Sequence, residues 1–268
     1  MALEVMSWNI RDGLSNEAMA DTVIAHIETA MPDVLVLAEA YRENKQPTMG
    51  EKLHILGDLG YCAIAAPYAD DDGRADRHYL VGCARDELVE SAEALSLGTR
   101  NALYLQVVDP ASDKLIDTFL THLDDRRESR RLAQAQHLLA AIDPEAPAII
   151  AGDMNAMHSD DPRARLLRMA RPLAKRLPTI EPRPDYKYPK LKRMGSLASR
   201  LTDMATGTTL AAFEAAGFAD ANTQHLPTRG PVTIDYIMAR DLLVNNDSFV
   251  VHDQTEVSDH RAISAVVG

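Results

Sequence analysis

Cysteine is scarce in this chain. Cys62 and Cys83 are the only two in 268 residues, each inside an apolar stretch and without Cys-x-x-Cys spacing. That argues against a disulfide framework or a cysteine zinc site and makes a reducing cytoplasm the expected setting. No apolar run approaches the ~18–20 residues of a membrane-spanning helix, so stable membrane insertion is not expected. The opening MALEVMSWNI lacks a charged leader region, a long apolar core and a small-residue cleavage site, and its alternation reads as a strand. There is no GxxxxGK[ST], no GxGxxG after a strand and no GxSxG. Nucleotide-driven phosphoryl transfer, dinucleotide redox chemistry and serine hydrolysis therefore have no signature here. No fixed repeat or low-complexity tract occurs, which excludes a solenoid.

What is present is an ordinary globular composition, 46% hydrophobic and 25% charged, but with charge unevenly placed. The net charge of −12 argues against a simple basic nucleic-acid coat protein. Residues 163–200, however, hold twelve Lys and Arg against Glu181 and Asp185, a local +10 that leaves −22 elsewhere. Such segregation suggests an anionic partner for one segment; a solvated basic loop drawn to the protein's own acidic surface is the plainer alternative.

Short Val/Ile/Leu-rich runs predict strands over 3–8, 34–38, 61–66, 79–84, 103–108, 117–121, 147–151, 233–238 and 262–267. Helical spacing predicts helices over 16–30, 49–59, 127–142 and 207–216, the last capped by Asp203 or Thr208 and stopped at Gly217. Mixed strands and helices point to packed sheets covered by helices. Six prolines punctuate 159–203, where a short helix over 163–177 is expected to break near Pro172. With strand-like segments on both sides, this stretch reads as a basic, Pro-rich insertion within a single domain spanning 1–268.

One pattern recurs: apolar strands end in an acid, amide or histidine. Asn9 follows the first, Glu39 follows VLVLA, His122 follows DTFLT, and Asp153 and Asn155 follow AIIAG. Asp235 lies within TIDYIM, and Asp259-His260 precede the last strand. Each has a plain reading of its own: Glu39 as a helix cap, Asp153-Met154-Asn155 as a turn, His122 as a core histidine, Ser258-Asp259 as a strand-entry turn. Jointly they make sense as one pocket, because desolvating carboxylates costs several kcal/mol unless a cation or hydrogen bonds compensate. Asn9, Glu39 and Asp259 are hard oxygen ligands suited to Mg²⁺ or Mn²⁺. His122 and His260 would contact phosphate oxygens or handle protons, and Asp153 would act as general base for water. Asn155 would stabilise charge on the phosphoryl oxygens, and Asp235 would hold His260 in the required tautomer.

The motifs SWNI, LAEAY, THL, GDMNA, IDYIM and SDHRAI, in this order across residues 5–267, resemble the endonuclease/exonuclease/phosphatase superfamily of DNase I-like fold. Arg131 and Gln134 after THL, and AAGFAD at 215–220, are similar to the family too. The resemblance implies a four-layer α/β sandwich, two mixed β-sheets face to face and flanked by helices, with the site at one end. It implies Asn9 and Glu39 as metal holders, Asp259 near the metal, and Asp153 orienting the attacking water. Asn155 and His260 would contact the phosphate, with Asp235 as partner of His260 and His122 at its strand end. Two departures stand out: Ala38 precedes the metal-binding Glu where Gln is usual, and Arg11 stands where apurinic endonucleases carry an acid. The expected activity is Mg²⁺-dependent phosphate-ester hydrolysis, with a nuclease favoured. Arg183, Lys187, Lys190, Lys192 and Arg193 would meet phosphates, and Tyr186 and Tyr188 would stack on bases. Alternatives are an inositol-phosphate or phosphoinositide phosphatase and a catalytically silent binding protein; the oligomeric state is left open.

Overall fold

The computed structural model describes residues 2–42, 49–68, 78–98, 100–174, 201–253 and 256–268. Among these, one sheet contains β1 (Leu3–Asn9), β2 (Val34–Arg42), β3 (Tyr61–Pro67) and β4 (His78–Arg85). The second contains β5 (Val89–Ser96), β6 (Asn101–Val108), β7 (Leu115–His122), β8 (Ala148–Asp153), the two-residue β9 (Ala219–Asp220) and β10 (Asp235–Arg240). The chain then returns to the first sheet with β11 (Val244–His252) and β12 (Ala262–Val267). The strand orders are β11-β12-β1-β2-β4-β3 and β5-β6-β7-β8-β10-β9.

Each mixed sheet has one parallel pair joined by a helix. In the first sheet β1 and β2 are connected through α1 (Glu17–Ala30). In the second, β7 and β8 are connected through α3 (Glu128–Ala141). Their neighbours are antiparallel. Val5, Val36, Leu80, Leu103, Leu120, Ile149 and Ile237 from both sheets make one core between them. On the outer face of the first sheet, Met6, Trp8, Leu35 and Leu37 pack against Val23 and Ile27 of α1 and Leu56 of α2 (Met49–Asp58). On the second, Phe119, Ile150 and Tyr236 pack against Leu138 of α3 and Phe213 of α5 (Thr208–Ala215). Alternate residues of β1 thus face the other sheet (Leu3, Val5) or the helices (Met6, Trp8), as period-two geometry requires. The four-layer sandwich is the architecture anticipated from the motifs. The sheets meet closely at Gly82, where a Cβ would lie 2.6 Å from Leu120 Cδ1 and 2.9 Å from Leu103 Cδ1.

The differences from expectation have physical reasons. β5 and β11 gave no apolar signal because they are edge strands whose residues are mostly exposed or half-exposed. α4 (Pro162–Ala174) does not break at Pro172 but continues two residues beyond it, forgoing one main-chain hydrogen bond. Neither Asp203 nor Thr208 caps α5. Gly207, at φ 76°, is the N-cap, and Glu128 Oε1 of α3 accepts from Thr209 N (2.8 Å) and from the hydroxyls of Thr208 and Thr209. Gly217 does end the helix, at φ 88°. Among the described residues no helix is long and apolar enough to cross a membrane.

Candidate active site

The parallel pairs bring the site together. Asn9, the last residue of β1, is the partner of Ala38 within β2, and the register shift between Leu37 and Tyr41 sets Glu39 off from the regular strand next to that pair. His122 and Asp153 are partners at the ends of β7 and β8, and Asp235, opening the antiparallel β10, pairs with Asp153. The carboxyl ends of β1, β7 and β8, the irregularity in β2 and the start of β10 therefore face one edge of the sandwich, where α/β sheets bind ligands.

The backbone at these ends is strained, as functional sites often are. Glu39 has φ 47° where the β2–β4 register shifts, and Asn155 has φ 49°. Gly152 has φ 144°, and a Cβ there would stand 1.8 Å from Thr121 O, which is the steric reason for glycine in GDMN. Loops are pinned by buried groups. Arg131, fully buried, donates to Asp124 O (2.9 Å) and to Glu128 (2.9 Å), while Gln134 Oε1 accepts from Asp124 N (2.8 Å). Asn155 Nδ2 donates to Leu123 O (3.0 Å) and Leu123 N to Asp153 O (3.0 Å), closing the loop after His122 onto the loop after β8. Trp8 Nε1 donates to His260 O (3.3 Å), and Thr228 Oγ1 accepts from Asp235 N (3.1 Å).

Side chains converge on Asp153. Its Oδ2 accepts from Asn9 Nδ2 (3.0 Å) and lies 3.6 Å from His122 Nε2 and 3.8 Å from His260 Nδ1; its Oδ1 accepts from Asn155 N (2.9 Å). His260 Nδ1 sits 3.0 and 3.2 Å from the two oxygens of Asp235. Burial and the neighbouring Asp235 carboxylate push Asp153 up to about 7, against the pull of His260. Burial alone would favour neutral His260, but the Asp235 and Asp153 carboxylates outweigh it and raise it to about 9. His122 is held far below the usual imidazole range, first by burial and then by Arg100 and His260, and stays neutral.

Tyr68, at the end of β3, joins the sheets. Its hydroxyl accepts from Glu39 N (2.8 Å) and contacts His122 Nδ1 (2.6 Å). Giving its own proton to Nδ1 assigns the imidazole proton to Nε2, the atom that faces Asp153. Burial keeps the phenol protonated, and Arg100 lies 4.5 Å from its ring centroid. Tyr68 was missed in sequence although it obeys the same pattern, a polar group just past an apolar strand.

Asp259 takes a different place from the other predicted residues. Its Oδ2 accepts from Arg229 Nε (3.0 Å) with Nη2 at 2.8 Å, and Arg11 Nη1 lies 3.7 Å from Oδ1. Burial opposes its charge, yet Arg229 leads the cations that hold its carboxyl below the usual range. A carboxylate so paired is the counter-ion of two arginines at the site's mouth. Glu39, 29% exposed and 4.0 Å from His78 Nδ1, with the Asn9 amide on the adjacent strand, is the oxygen pair whose chemistry fits a hard divalent cation. Arg183, Lys187, Lys190, Lys192, Arg193, Tyr186 and Tyr188 lie outside the described residues. Of the basic residues within α4, Arg163 donates to His225 O (3.0 Å) and Arg168 to Ala205 O (2.7 Å), so these two serve the fold.

The sequence profile of the endonuclease/exonuclease/phosphatase family matches residues 6–260, a span that contains every one of the convergent side chains. The chain belongs to that family. The family's members are phosphoric-ester hydrolases. Among curated protein sequences none matches significantly. Solved structures agree on the fold. A family protein from Beutenbergia cavernae superposes with TM-score 0.69 at 17% identity, covering 99% of this chain and 71% of the other. A mannosyl-6-phosphatase from Bacteroides thetaiotaomicron gives 0.60 at 12%, covering all of both chains. An AP endonuclease from Archaeoglobus fulgidus gives 0.57 at 16%, covering 98% of each.

Proposed function

We propose that this family member is a Mg²⁺-dependent phosphodiesterase acting on nucleic acid. The observation that carries hydrolysis is the buried Asp153–His260–Asp235 group beside Asn9, Glu39 and His122, a base, a charged donor and its orienting carboxylate held at one edge. Asp153 accepts the proton of the attacking water. His260, fixed through Nδ1 by Asp235, presents its other nitrogen as a charged donor to the phosphoryl group or leaving oxygen. Asn155 uses one amide hydrogen on Leu123 O and keeps the second for a phosphoryl oxygen. Neutral His122 supplies a further Nε2–H donor. Glu39 and Asn9 would hold Mg²⁺ (Mn²⁺ in its place), which when bound polarises the phosphoryl oxygen. Arg11 and Arg229, balanced by Asp259, offer guanidinium forks to an incoming phosphate.

The preference for nucleic acid rests on charge. Residues 175–200 add eight Lys and Arg between β8 and β10, with Tyr186 and Tyr188 among them. The test is Mg²⁺-dependent hydrolysis of labelled single- and double-stranded DNA and RNA, with inositol polyphosphates alongside, by wild type and Asp153→Asn. We expect nucleic-acid cleavage that needs Mg²⁺ and falls about 10³–10⁴-fold in the variant. Affinity should drop steeply with salt, and neutralising Arg183, Lys187, Lys190, Lys192 and Arg193 should flatten that dependence by about one unit of slope per lost phosphate contact. Phosphate release from inositol substrates alone would move the protein to the phosphatase reading. Undiminished hydrolysis by Asp153→Asn would remove the assigned base.

A further inference from the structure

A second cluster of ligand-type side chains lies outside this site. His158 and Asp160 stand in the loop between β8 and α4, and His225 in the loop before β10. Ligand atoms of these three lie within 4.8 Å of one another. His158 Nδ1 contacts Asp160 Oδ1, and His225 Nε2 is 3.4 Å from that same oxygen. The two imidazole rings are 5.0 Å apart. On the far side of His158, Nε2 is 2.5 Å from Glu214 Oε1 of α5. Glu214 accepts from Nε2, the role that outer carboxylates play for metal-bound histidines, so a cation would take the place of the Nδ1 proton that now meets Asp160.

A second, independent feature points the same way. Asp220 of β9 has its Oδ2 shut off from water with no hydrogen-bond partner, while its other oxygen accepts from Asn222 N (2.9 Å). Burial raises this carboxyl to about 6, against a pull from His158 and with a push from Glu214 and Asp160. Three carboxylates thus surround two imidazoles, one of them with a buried oxygen unsatisfied, an arrangement that favours positive charge among them. Asp160 is 70% exposed, which leaves the cluster open to solvent on one side.

We propose that His158, Asp160 and His225 bind a transition-metal cation of the Zn²⁺ class, with Glu214 orienting His158 and Asp220 supplying nearby charge. Two imidazoles and a carboxylate suit Zn²⁺ better than Mg²⁺, which takes oxygen donors. The ion would staple the loop that leaves β8 to the loop that enters β10, on either side of the chain's basic stretch. It would do so independently of the hydrolytic centre.

The test uses the full chain carrying Glu39→Gln, which removes the carboxylate assigned to Mg²⁺ at the catalytic edge, with Asp153→Asn as a control for the Asp153–Asp235–His260 group. Zn²⁺ is titrated calorimetrically, and Co²⁺ is added as a spectroscopic probe. The proposal expects one Zn²⁺ per chain, a rise in thermal midpoint, and visible Co²⁺ absorption from a low-coordinate nitrogen–oxygen site. His225→Ala and Asp160→Asn should abolish all three, and Glu214→Gln should weaken binding about tenfold. Asp153→Asn should leave them unchanged. His225→Ala spares the His158 ion pairs, so a loss of binding in a chain that still melts cooperatively is informative. Binding that survives His225→Ala and Asp160→Asn, or an absence of stoichiometric binding to the folded parent, would overturn the proposal and leave an imidazolium ion-pair cluster instead.

Discussion

Each sheet contains one parallel pair joined by a helix, β1–α1–β2 in one and β7–α3–β8 in the other, and both pairs deliver side chains to the same edge. The side chains delivered there differ. The first sheet brings an amide and a carboxylate, and Glu39 is 29% exposed. The second brings His122 and Asp153, with Asp235 opposite, all at 3% side-chain exposure or less. Asn9 is buried, but the Glu39 carboxylate touches water and suits a cation exchanging with solvent. Buried Asp153 and His122 have shifted proton affinities, as groups that handle protons do. The proposed division of labour follows from the contrast between Glu39 and the second sheet's buried groups, and Tyr68 bridges the halves.

The largest effect should come from the second sheet's backbone. Gly152→Ala places a Cβ against Thr121 O, between β7 and β8, and should cost about 4 kcal/mol or more, read by urea unfolding.

Next in size is Asp235→Asn, expected to lower the rate about a hundredfold or more. The pH profile should move as well. The Asp235 carboxylate raises both His260 and Asp153, so its removal lowers both. The acid and alkaline limbs, which belong to the coupled group as a whole, should shift together to lower pH. A fixed alkaline limb would detach His260 from Asp235. In the wild type, the stability supplied by charged His260 is complete below about pH 6.5, its ordinary value, and is lost as pH rises through about 9.

Tyr68→Phe should be the mildest. It leaves Glu39 N–H and His122 Nδ1 without their partner, at about 1–3 kcal/mol of stability, with about a tenfold loss of rate. A variant with wild-type rate and stability would show that the halves need no bridge.

Much of this was legible in the sequence because central strands are apolar and polar groups at their ends are conspicuous. Asn9, Glu39, His122, Asp153 and Asp235 all follow from that pattern. Edge strands β5 and β11 were not legible, since a strand with a solvated face carries no such contrast. The Glu128 cap on α5 joins residues about eighty apart in sequence, and no local signal encodes it. Arg229 is the same case: it joins the site through its bridge to His260 and its pairing with Asp259, about thirty residues on. That pairing gives Asp259 a partner that the motif alone does not show.

The most direct test of the two-sheet account is the Mg²⁺ dependence of hydrolysis in Glu39→Gln and Asp153→Asn, measured side by side. The account predicts that Glu39→Gln raises the Mg²⁺ requirement by at least the ~10–100-fold that loss of even an outer partner costs, with rate largely recovered at saturating metal. Asp153→Asn should keep a Mg²⁺ requirement near that of the wild type, with a rate about 10³-fold lower at every concentration. If metal instead rescues Asp153→Asn, or fails to rescue Glu39→Gln, the sheets do not divide the work in this way.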